Sequence, residues 1–293
     1  MTIELASKTG YSAPSGNADR NQLQRAKCAA FAELHKGPGA FVIPNPYDVG
    51  SALYLGRLGF KALATSSAGA AWTLGKPDGG VARDVMLAQI AAVANASPLP
   101  VNADYEACFG ADEAGVAESV ALCVKAGVAG LSIEDLQDDA FYSLAEALRR
   151  LAAARAAIKQ SGMPVLLTVR SEIVLRGDPG GLKEALRRVT AFAAAGADVI
   201  YVPGLKTLAE VRAVVDAVGP LPVNVLAAMP HFTLRQLEDA GVRRVSVGSS
   251  LARSAWGGFM QAAREIAQHG TFNAFTQGAP FSDVNALFGG GKD

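Results

Sequence analysis

Residues 100–106 of the chain read Pro-Val-Asn-Ala-Asp-Tyr-Glu, a short, mostly apolar run that follows a proline and ends in two acids. Similar runs follow at residues 131–135, Leu-Ser-Ile-Glu-Asp, and at residues 165–170, Val-Leu-Leu-Thr-Val-Arg. A short apolar run opened by Gly or Pro is typical of a parallel strand buried on both faces. Each of these predicted strands therefore ends in charged residues.

The same unit of strand and helix repeats along the rest of the chain. Helical stretches rich in Ala, Leu and Arg separate the apolar runs. The predicted strands are Ala40–Pro44, Ala62–Ser66, Pro100–Asp104, Gly130–Glu134, Val165–Arg170, Val199–Val202, Val223–Leu226 and Val245–Gly248. Eight strands alternating with helices predict an α/β protein with a (β/α)8 barrel of the TIM type. An open doubly wound sheet is disfavoured, because residues 45–48 after the first strand, Asn-Pro-Tyr-Asp, contain no glycine-rich turn.

The two ends of the chain differ from this repeat. Residues 1–18 are polar, with Gly, Ser and Pro and no periodicity, and we predict a mobile leader ahead of a single domain over residues 19–293. Asn17–His35 is predicted to be a helix that closes the bottom of the barrel, and Ser250–His269 an extended C-terminal helix. The loose tail over residues 270–293 carries four phenylalanines, which predicts that it docks on another subunit or on its own barrel.

Composition excludes several classes of function. Lys plus Arg equals Asp plus Glu at 27 each, so charge gives no case for nucleic acid or an anionic membrane as partner. No apolar run approaches the ~18 to 20 residues needed to cross a bilayer, and the N-terminus lacks the order of a secretory signal. Three cysteines without metal-site spacing support neither a disulfide framework nor a zinc site. We therefore predict a soluble, cytoplasmic protein.

Chemistry in such a barrel belongs at the carboxyl ends of the strands. No predicted strand ends in Lys or His, which disfavours a Schiff-base enzyme. The polar residues at these ends are rich in oxygen donors: Asn45, Asp48, Ser66, Ser67, Asp104, Glu106, Glu134, Asp135, Arg170, Glu172 and Asn224. Converging carboxylates are costly unless they are neutralised. A hard cation, Mg²⁺ with Mn²⁺ as the alternative, would neutralise them, with Arg170 beside it for an anionic substrate. An acidic cluster neutralised by arginine is the alternative.

These motifs together resemble the isocitrate lyase / phosphoenolpyruvate mutase superfamily over most of residues 39–268. The similarity lies in short motifs in register, each at a strand end or in the loop that follows. They are Asn-Pro-Tyr-Asp at 45–48, Ser-Ser-Ala at 66–68, Leu-Gly-Lys-Pro-Asp at 74–78, Ala-Asp-Tyr-Glu-Ala-Cys-Phe-Gly at 103–110, Ser-Ile-Glu-Asp at 132–135, and Arg170 with Glu172.

The resemblance implies a set of roles for these residues. Asp104 would ligate Mg²⁺ directly, and Glu106 and Glu134 would hold its water molecules. Arg170 and the backbone around Ser67 and Ala68 would bind the carboxylate of a small 2-oxo acid. The full assignment takes Asp48, Asp78 and Arg170 as catalytic, and Tyr47, Ser66, Ser67, Ala68, Arg170 and Asn224 as substrate-binding.

The chain also departs from the family. Lyases of the superfamily carry Lys-x-Cys-Gly-His on the loop after the Ile-Glu-Asp strand, whereas residues 135–142 read Asp-Leu-Gln-Asp-Asp-Ala-Phe-Tyr. Cleavage of a C–C bond next to a carbonyl, by lysis or decarboxylation, is the favoured reaction. The alternatives are C–P bond chemistry and a barrel that binds Mg²⁺ and a carboxylate without turnover. The resemblance also implies a homodimer or homotetramer that exchanges the C-terminal helix.

Overall fold

A computed structural model describes residues 17–289 of the protein. Eight parallel strands form one sheet, and a small antiparallel hairpin lies apart from it. The barrel strands are β1 (Phe41–Ile43), β2 (Leu63–Ala64), β3 (Val101–Ala103), β4 (Gly130–Glu134), β7 (Leu166–Arg170), β8 (Val199–Tyr201), β9 (Val223–Leu226) and β10 (Arg244–Ser246), and the hairpin strands are β5 (Leu136–Gln137) and β6 (Ala140–Phe141). All eight predicted barrel strands are confirmed, within two residues at each end.

The order of the strands around the sheet is β1-β10-β9-β8-β7-β4-β3-β2. Between β1 and β2, the two outer strands of this order, the Ala64 amide donates to the Pro44 carbonyl over 3.1 Å. The sheet therefore curves into a nearly closed barrel, and the predicted TIM-type fold is confirmed.

Helices follow the strands and cover the barrel. They are α1 (Asn17–Lys36), α2 (Val49–Arg57), α3 (Ser67–Thr73), α4 (Arg83–Ala96), α5 (Glu113–Lys125), α6 (Leu144–Ser161), α7 (Gly181–Ala194), α8 (Leu208–Val218), α9 (Leu234–Asp239), α10 (Ser250–His269) and α11 (Phe281–Phe288), with a 3-10 helix, η1, at Asn273–Gln277. Local chemistry fixes several of their ends. Thr207 and Thr233 form capping boxes at the starts of α8 and α9, and Gly162 ends α6 at a φ of +67°.

The predictions for the chain ends need correction. The predicted leader lies outside the described residues up to position 16. The predicted helix Asn17–His35 is confirmed as α1, so residues 17 and 18 belong to this helix and not to the leader. The tail is not loose up to residue 289, since it forms η1 and α11. The Arg57 Nη1 atom on α2 donates to the Ala286 carbonyl over 3.3 Å, and the Phe288 ring lies close to Gly50. Helix α11 therefore contacts its own barrel, but all four tail phenylalanines are more than half exposed, and docking of the tail on another subunit stays a prediction.

Helix α10 has an unusual position for the helix after the last barrel strand. Ala252 is the one buried residue among its twenty. The Glu265 carboxylate holds η1 through the backbone amides of Asn273 and Ala274, so the ordered neighbour of α10 is the tail rather than the barrel. This leaves Trp256 and Phe259 exposed on one helix.

The interior of the barrel is polar where such barrels are usually filled with branched apolar side chains. Buried polar side chains on β3, β4, β7, β9 and β10 line it: Asn102, Ser132, Thr168, Asn224, Arg244 and Ser246. A helix long and apolar enough to cross a bilayer is absent from residues 17–289.

Candidate active site

The strands β3, β4 and β7 carry their charged ends into one cavity of about 710 Å³. Asp104 follows β3, Glu134 ends β4 and Arg170 ends β7, and all three line the cavity. Because β4 pairs directly with β7, Glu134 lies opposite Arg170 in the sheet register. The sequence prediction that these strand ends converge is therefore confirmed by the fold.

Arg170 is the centre of the charge network. Its Nη1 atom lies 2.7 Å from Asp104 Oδ1 and 3.5 Å from Glu134 Oε2, and its Nη2 atom lies 2.8 Å from Glu172 Oε1. The guanidinium also lies over the Tyr201 ring, 5.0 Å from the ring centroid. Burial lowers the pKa of Arg170, but the charges of Glu172, Glu134 and Asp104 outweigh it and the net shift is upward. Arg170 is thus a fixed cation at the cavity wall.

The second oxygen of Asp104 faces the start of α3. Asp104 Oδ2 accepts hydrogen bonds from the Ser67 amide over 3.0 Å and from the Ser67 hydroxyl over 2.9 Å. The same hydroxyl lies 3.3 Å from Asp78 Oδ1. Burial raises the pKa of Asp78, and the neighbouring charge of Asp104 adds to the rise. The structure therefore joins Ser67, Asp78, Asp104 and Arg170 in one continuous polar network.

Glu106 has a strained backbone and an unpaired oxygen. Its φ of +49° lies in the left-handed region, which costs a non-glycine residue on the order of 1 kcal/mol. Its Oε1 atom is buried and has no hydrogen-bond partner. Burial, together with the charges of Asp104 and Asp78, raises the pKa of Glu106 to about 7. Burial likewise raises the pKa of Glu134 well above its ordinary range, against the opposing charge of Arg170.

These carboxylates fit a hydrated Mg²⁺ ion. Within residues 17–289, no group of three His, Cys, Asp or Glu side chains is arranged to hold a metal ion by itself. Mg²⁺ does not need such a group, since one or two carboxylates and several waters usually hold it. Asp104, Glu106 and Glu134 offer only oxygen, and a hydrated cation would give the unpaired Glu106 oxygen the donor it lacks. Their role as metal ligands stays a prediction.

Two predicted site residues lie away from this network. Asp48 is the N-cap of α2: its Oδ1 atom accepts from the Ser51 amide and from the Ser51 hydroxyl, each over 2.7 Å. Neither Asp48 nor Tyr47 lines the cavity, and Tyr47 packs beside Gly69 of α3. The structure thus gives Asp48 a local role in the helix cap, and neither residue is part of the proposed active site.

The remaining predicted substrate-binding residues do line the cavity. Ser66 is the N-cap of α3 and its hydroxyl accepts from the Gly69 amide over 3.1 Å. Ala68 lies in the first turn of α3, where helix amides are open to an anion. Asn224 is buried on β9, and its amide donates to the Ser246 hydroxyl over 2.9 Å. Their contact with a substrate stays a prediction.

Other polar residues at strand ends form hydrogen bonds that connect neighbouring loops. Asp135 accepts from the Ser171 hydroxyl over 3.0 Å and the Glu172 amide over 2.8 Å, and pairs with Arg188 at 3.1 Å. Asn45 accepts from two amides of the loop after β10. Asp135 therefore joins two strand ends behind the cavity, and Asn45 joins two loops from the cavity wall.

Cys108 is a packed side chain. Its φ of +63° lies in the region that glycine favours, and the thiol is fully buried. Burial raises the pKa of the Cys108 thiol well above its ordinary range. A buried, protonated thiol is a poor nucleophile.

The loop after β4, residues 135–142, is named the lid here, and it forms a small β-hairpin that the sequence did not predict. Asp138 and Asp139 form its tip with φ of +50° and +59°, the positive values that a two-residue type I′ turn requires. Asn or Gly usually signals this turn, and the Asp-Asp sequence gives a weaker signal. Arg176 pairs with Asp139 at 3.2 Å, and both aspartates and Arg176 line the cavity.

Two further residues of the site were missed from the sequence. The hydroxyl of Thr65 accepts from the Asp104 amide over 2.9 Å and so fixes the strand end that carries the central carboxylate. Arg244 opens β10 and lines the cavity from inside the barrel, but the predicted strand began one residue after it. The inward alternation of Arg244 and Ser246 was the available signal.

Active sites of (β/α)8 barrel enzymes lie at the carboxyl ends of the strands, where this chain has an arginine and several carboxylates. The model of the phosphoenolpyruvate phosphomutase family matches residues 31–267, and the chain belongs to this family. A structure from Burkholderia cenocepacia, provisionally described as a lyase/mutase, is 43% identical with a TM-score of 0.87, covering 92% of this chain and 98% of that one.

Two named enzymes are also similar. The 2-methylisocitrate lyase of Escherichia coli is 32% identical over 214 residues, 68% of this chain and 71% of the enzyme. The oxaloacetate decarboxylase of Bradyrhizobium diazoefficiens is 29% identical over 272 residues, 90% of each protein. Enzymes of the superfamily typically use Mg²⁺.

Proposed function

We propose that the protein is a Mg²⁺-dependent enzyme that cleaves a C–C bond of a small 2-oxo acid, as a lyase or decarboxylase. The observation that carries the proposal is the arrangement of Arg170 and the Ser67 amide on the two oxygens of one carboxylate, Asp104, at the cavity wall. A cation and a helix N-terminus that converge on one carboxylate are suited to hold a substrate carboxylate beside it. The lyase and decarboxylase among the relatives support this reaction type.

Each residue of the network has a proposed task. Arg170 and the Ala68 amide bind the carboxylate of the substrate, and the Ser67 amide, which donates to Asp104 in this structure, would join them when Asp104 holds the metal. Asp104, Glu106 and Glu134 would hold Mg²⁺. When bound, Mg²⁺ would supply charge neutralisation at the keto oxygen, where negative charge develops as the bond breaks. The ion pairs with three carboxylates hold the Arg170 guanidinium in one position, which orients a substrate carboxylate bound to it.

Asp78 is the proposed proton donor or acceptor. It lies beside Ser67. Its pKa is raised towards neutrality, and a group that must both take up and release a proton works best there. The carbon left by bond cleavage needs a proton to become a stable product. Asp78 would deliver it, with the Ser67 hydroxyl fixing the direction of the carboxyl group.

The lid weighs against the alternative C–P chemistry. A transferred phosphoryl group carries negative charge and is stabilised by cations. The tip of the lid presents Asp138 and Asp139 to the cavity, and its Arg176 neighbour already pairs with Asp139. An acidic lid tip thus favours a reaction without phosphoryl transfer.

Turnover followed by ¹H NMR tests the function. Purified protein with Mg²⁺ is incubated with oxaloacetate, 2-methylisocitrate, 2,3-dimethylmalate, 4-hydroxy-2-oxo acids and phosphonopyruvate, each also with EDTA. We expect EDTA-sensitive product from a 2-oxo acid of the panel, lost in Asp104→Asn and retained in Asp48→Asn. Cleavage of only the 2-hydroxy acids 2-methylisocitrate or 2,3-dimethylmalate would keep the C–C reaction and contradict the 2-oxo acid as substrate. Turnover of phosphonopyruvate alone would replace the proposal by the C–P alternative. Binding without turnover of any compound would favour the non-catalytic barrel.

We also propose a homodimer or homotetramer in which α10 packs on a second copy. In a (β/α)8 barrel the helix after the last strand normally covers the sheet, but α10 buries only Ala252. Its exposed Trp256 and Phe259 rings are in edge-to-face contact and offer a large apolar surface.

Three unpaired, buried thiols support a reducing, cytoplasmic location.

Light scattering coupled to gel filtration tests the oligomer. We expect the wild type to elute as a dimer or tetramer and Phe259→Asp to dissociate. The matched control is Phe272→Asp, an equally exposed ring on the segment after α10. A wild-type monomer at tens of micromolar would rule out the exchanged helix.

A further inference from the structure

Residues 106–110, which follow β3 and are named the Glu106 loop, have a strained backbone. Glu106, Cys108 and Phe109 have φ of +49°, +63° and +54°, values that are unfavourable for residues other than glycine. Three such residues within four positions persist only where the surrounding structure holds them in place. The loop lines the cavity through Glu106, Ala107 and Phe109, so its conformation decides where the Glu106 carboxylate lies.

A buried arginine holds this loop. Arg150 lies on α6 and is 1% exposed. Its Nη2 atom donates to the Ala107 carbonyl over 3.1 Å and to the Gly110 carbonyl over 2.7 Å. The two carbonyls lie on either side of Cys108 and Phe109, two of the strained residues. One guanidinium therefore fixes both ends of the turn, although Arg150 does not itself line the cavity.

The same guanidinium packs against the lid. Its Cζ atom lies 4.2 Å from the centroid of the Tyr142 ring. At this distance a cation and an aromatic face attract each other, most strongly when both are shielded from water. The Tyr142 hydroxyl in turn donates to Gln137 Oε1 over 2.5 Å, and Gln137 lines the cavity. Arg150 therefore lies between the lid and the Glu106 loop and contacts both.

Few other groups share this cation. Among residues 17–289, the one carboxylate within 4.0 Å of Arg150 is that of Glu146, which lies at this limit and whose other oxygen pairs with Arg149. The Nε and Nη1 atoms of Arg150 have no hydrogen-bond partner in this part of the chain, although buried donors are costly to leave unpaired. The polar contacts of Arg150 are therefore concentrated on the Glu106 loop and the Tyr142 ring.

The neighbouring aromatic residue of the lid lies over a different arginine. The Phe141 ring centroid is 5.9 Å from the guanidinium of Arg188 on α7. Arg188 is balanced by Asp135 at 3.1 Å and by Glu184 at 2.8 Å, and its hydrogen bonds go to these two carboxylates. Phe141 and Tyr142 thus form a matched pair of lid aromatics, of which Tyr142 lies over the arginine that holds the Glu106 loop.

We propose that Arg150 is a positioning residue: it fixes the Glu106 loop, and through Tyr142 it ties the position of the lid to that of the Glu106 carboxylate. A planar guanidinium suits this task, since its edge donates to two carbonyls while its face packs on a ring, whereas a lysine offers only a point charge. The inference rests on the proposed function, because it takes Glu106 as a residue that holds the water of the metal.

Site-resolved thiol labelling without metal tests whether Arg150 fixes the loop. In a Cys123→Ala background two buried thiols remain, Cys108 in the Glu106 loop and Cys28 on α1. A disulfide reagent reaches both thiols when the whole protein unfolds, but Cys108 alone when the loop opens. The ratio of the Cys108 rate to the Cys28 rate therefore reports the loop and cancels a change in overall stability.

We expect Arg150→Met to raise this ratio about tenfold or more, since it removes charge-assisted hydrogen bonds to two carbonyls. Arg150→Lys should raise the ratio less, because it keeps the charge and a donor. Arg149→Met is the matched control on the same helix: its side chain is 56% exposed and pairs with Glu113 and Glu146, and the ratio should change less than about twofold.

The matched pair of lid aromatics tests the link between lid and loop. Tyr142→Leu is expected to raise the labelling ratio, whereas Phe141→Leu is expected to leave it unchanged. In the Arg150→Met background Tyr142→Leu should add little, because the contact that it removes is already lost. The comparison of the two lid variants holds even where Arg150→Met does not fold.

Mn²⁺ binding followed by electron paramagnetic resonance tests the position of the Glu106 carboxylate. Arg150→Met is expected to raise the Kd of Mn²⁺ about tenfold or more, as the loss of a residue that orients a metal ligand does. Arg150→Lys should raise the Kd less, and Arg149→Met should leave it unchanged. A residue that only stabilised the fold would not change the Kd of the folded variant.

The outcomes separate the two proposals. If the wild type binds no Mn²⁺, the proposed function fails, and the labelling ratio alone decides the role of Arg150. A ratio that is unchanged in Arg150→Met overturns the inference whatever the metal does. A raised ratio with an unchanged Kd would show that Arg150 holds the loop without positioning Glu106, and equal ratios in Tyr142→Leu and Phe141→Leu would overturn the link to the lid.

Discussion

Replacing Arg170 by Gln removes the one cation that lies among Asp104, Glu134 and Glu172. The arginine side chain is 14% exposed and that of Glu172 is 3% exposed, so water screens little of the repulsion that remains. Removing one partner of a buried ion pair costs about 3–5 kcal/mol. We therefore expect Arg170→Gln to lose about this free energy of unfolding at pH 8 without metal.

The loss should depend on pH. Without the arginine, the folded-state pKa values of the neighbouring carboxylates rise further above their unfolded values, and the folded variant binds protons that the folded wild type does not. The stability of the variant relative to wild type therefore falls as pH rises, by at most about 1.4 kcal/mol per pH unit for each additional proton bound. Acidic solution, in which the carboxylates are protonated in both proteins, should largely restore it.

Urea unfolding at pH 5 to 8 in EDTA, at fixed protein concentration, measures both effects. Arg176→Gln is the control, because its ion pair with Asp139 is 48% and 86% exposed and should contribute less than about 1 kcal/mol at any pH. A loss in Arg170→Gln no larger than in the control, or one that does not vary with pH, would refute the account of Arg170.

Three further predictions concern neighbouring residues. Glu106→Gln should stabilise the metal-free protein by about 1–3 kcal/mol at pH 8 and by less at pH 5. The pKa of Glu106 is raised to about 7, so its buried ionised form is costly above that pH. Thermal unfolding should also show that Mg²⁺ no longer stabilises the variant. Buried Cys28, Cys108 and Cys123 should not react with a disulfide reagent until the protein unfolds, and Cys108→Ala should keep turnover within about threefold. Asp48→Ala should lose about 1 kcal/mol as a missing helix cap and retain its kcat, whereas a tenfold fall in kcat would return Asp48 to the catalytic group.

The barrel was predictable from the sequence because its signals are local. Buried parallel strands are short apolar runs, and several helix ends carry their own cap or glycine. The same locality explains the misses: the hairpin over residues 136–141 turns on Asp138 and Asp139, which lack the Asn-Gly signature that marks a type I′ turn. Helix α11 packs on α2 through contacts more than 200 residues apart, which no local pattern contains.

The residues of the site also fall into those that the strand positions predict and those that depend on contacts distant in sequence. Asp104, Glu134 and Arg170 converge because parallel strands end at one edge, and this follows from the strand positions alone. Asp48 also follows a strand, but it caps α2, where its carboxylate accepts from the amide and the hydroxyl of Ser51. The position of the Arg244 guanidinium inside the barrel depends on the tilt and register of four strands, since it reaches from β10 to Thr168 on β7.

Binding of Mn²⁺ followed by electron paramagnetic resonance, with and without oxalate, tests the central claim most directly. We predict one Mn²⁺ site per chain, a spectrum that changes when oxalate is added, and loss of both in Asp104→Asn while Asp48→Asn behaves as wild type. Mn²⁺ binding that is unchanged in Asp104→Asn, or oxalate binding that needs no metal, would contradict the claim that these strand ends form a metal site for 2-oxo acids.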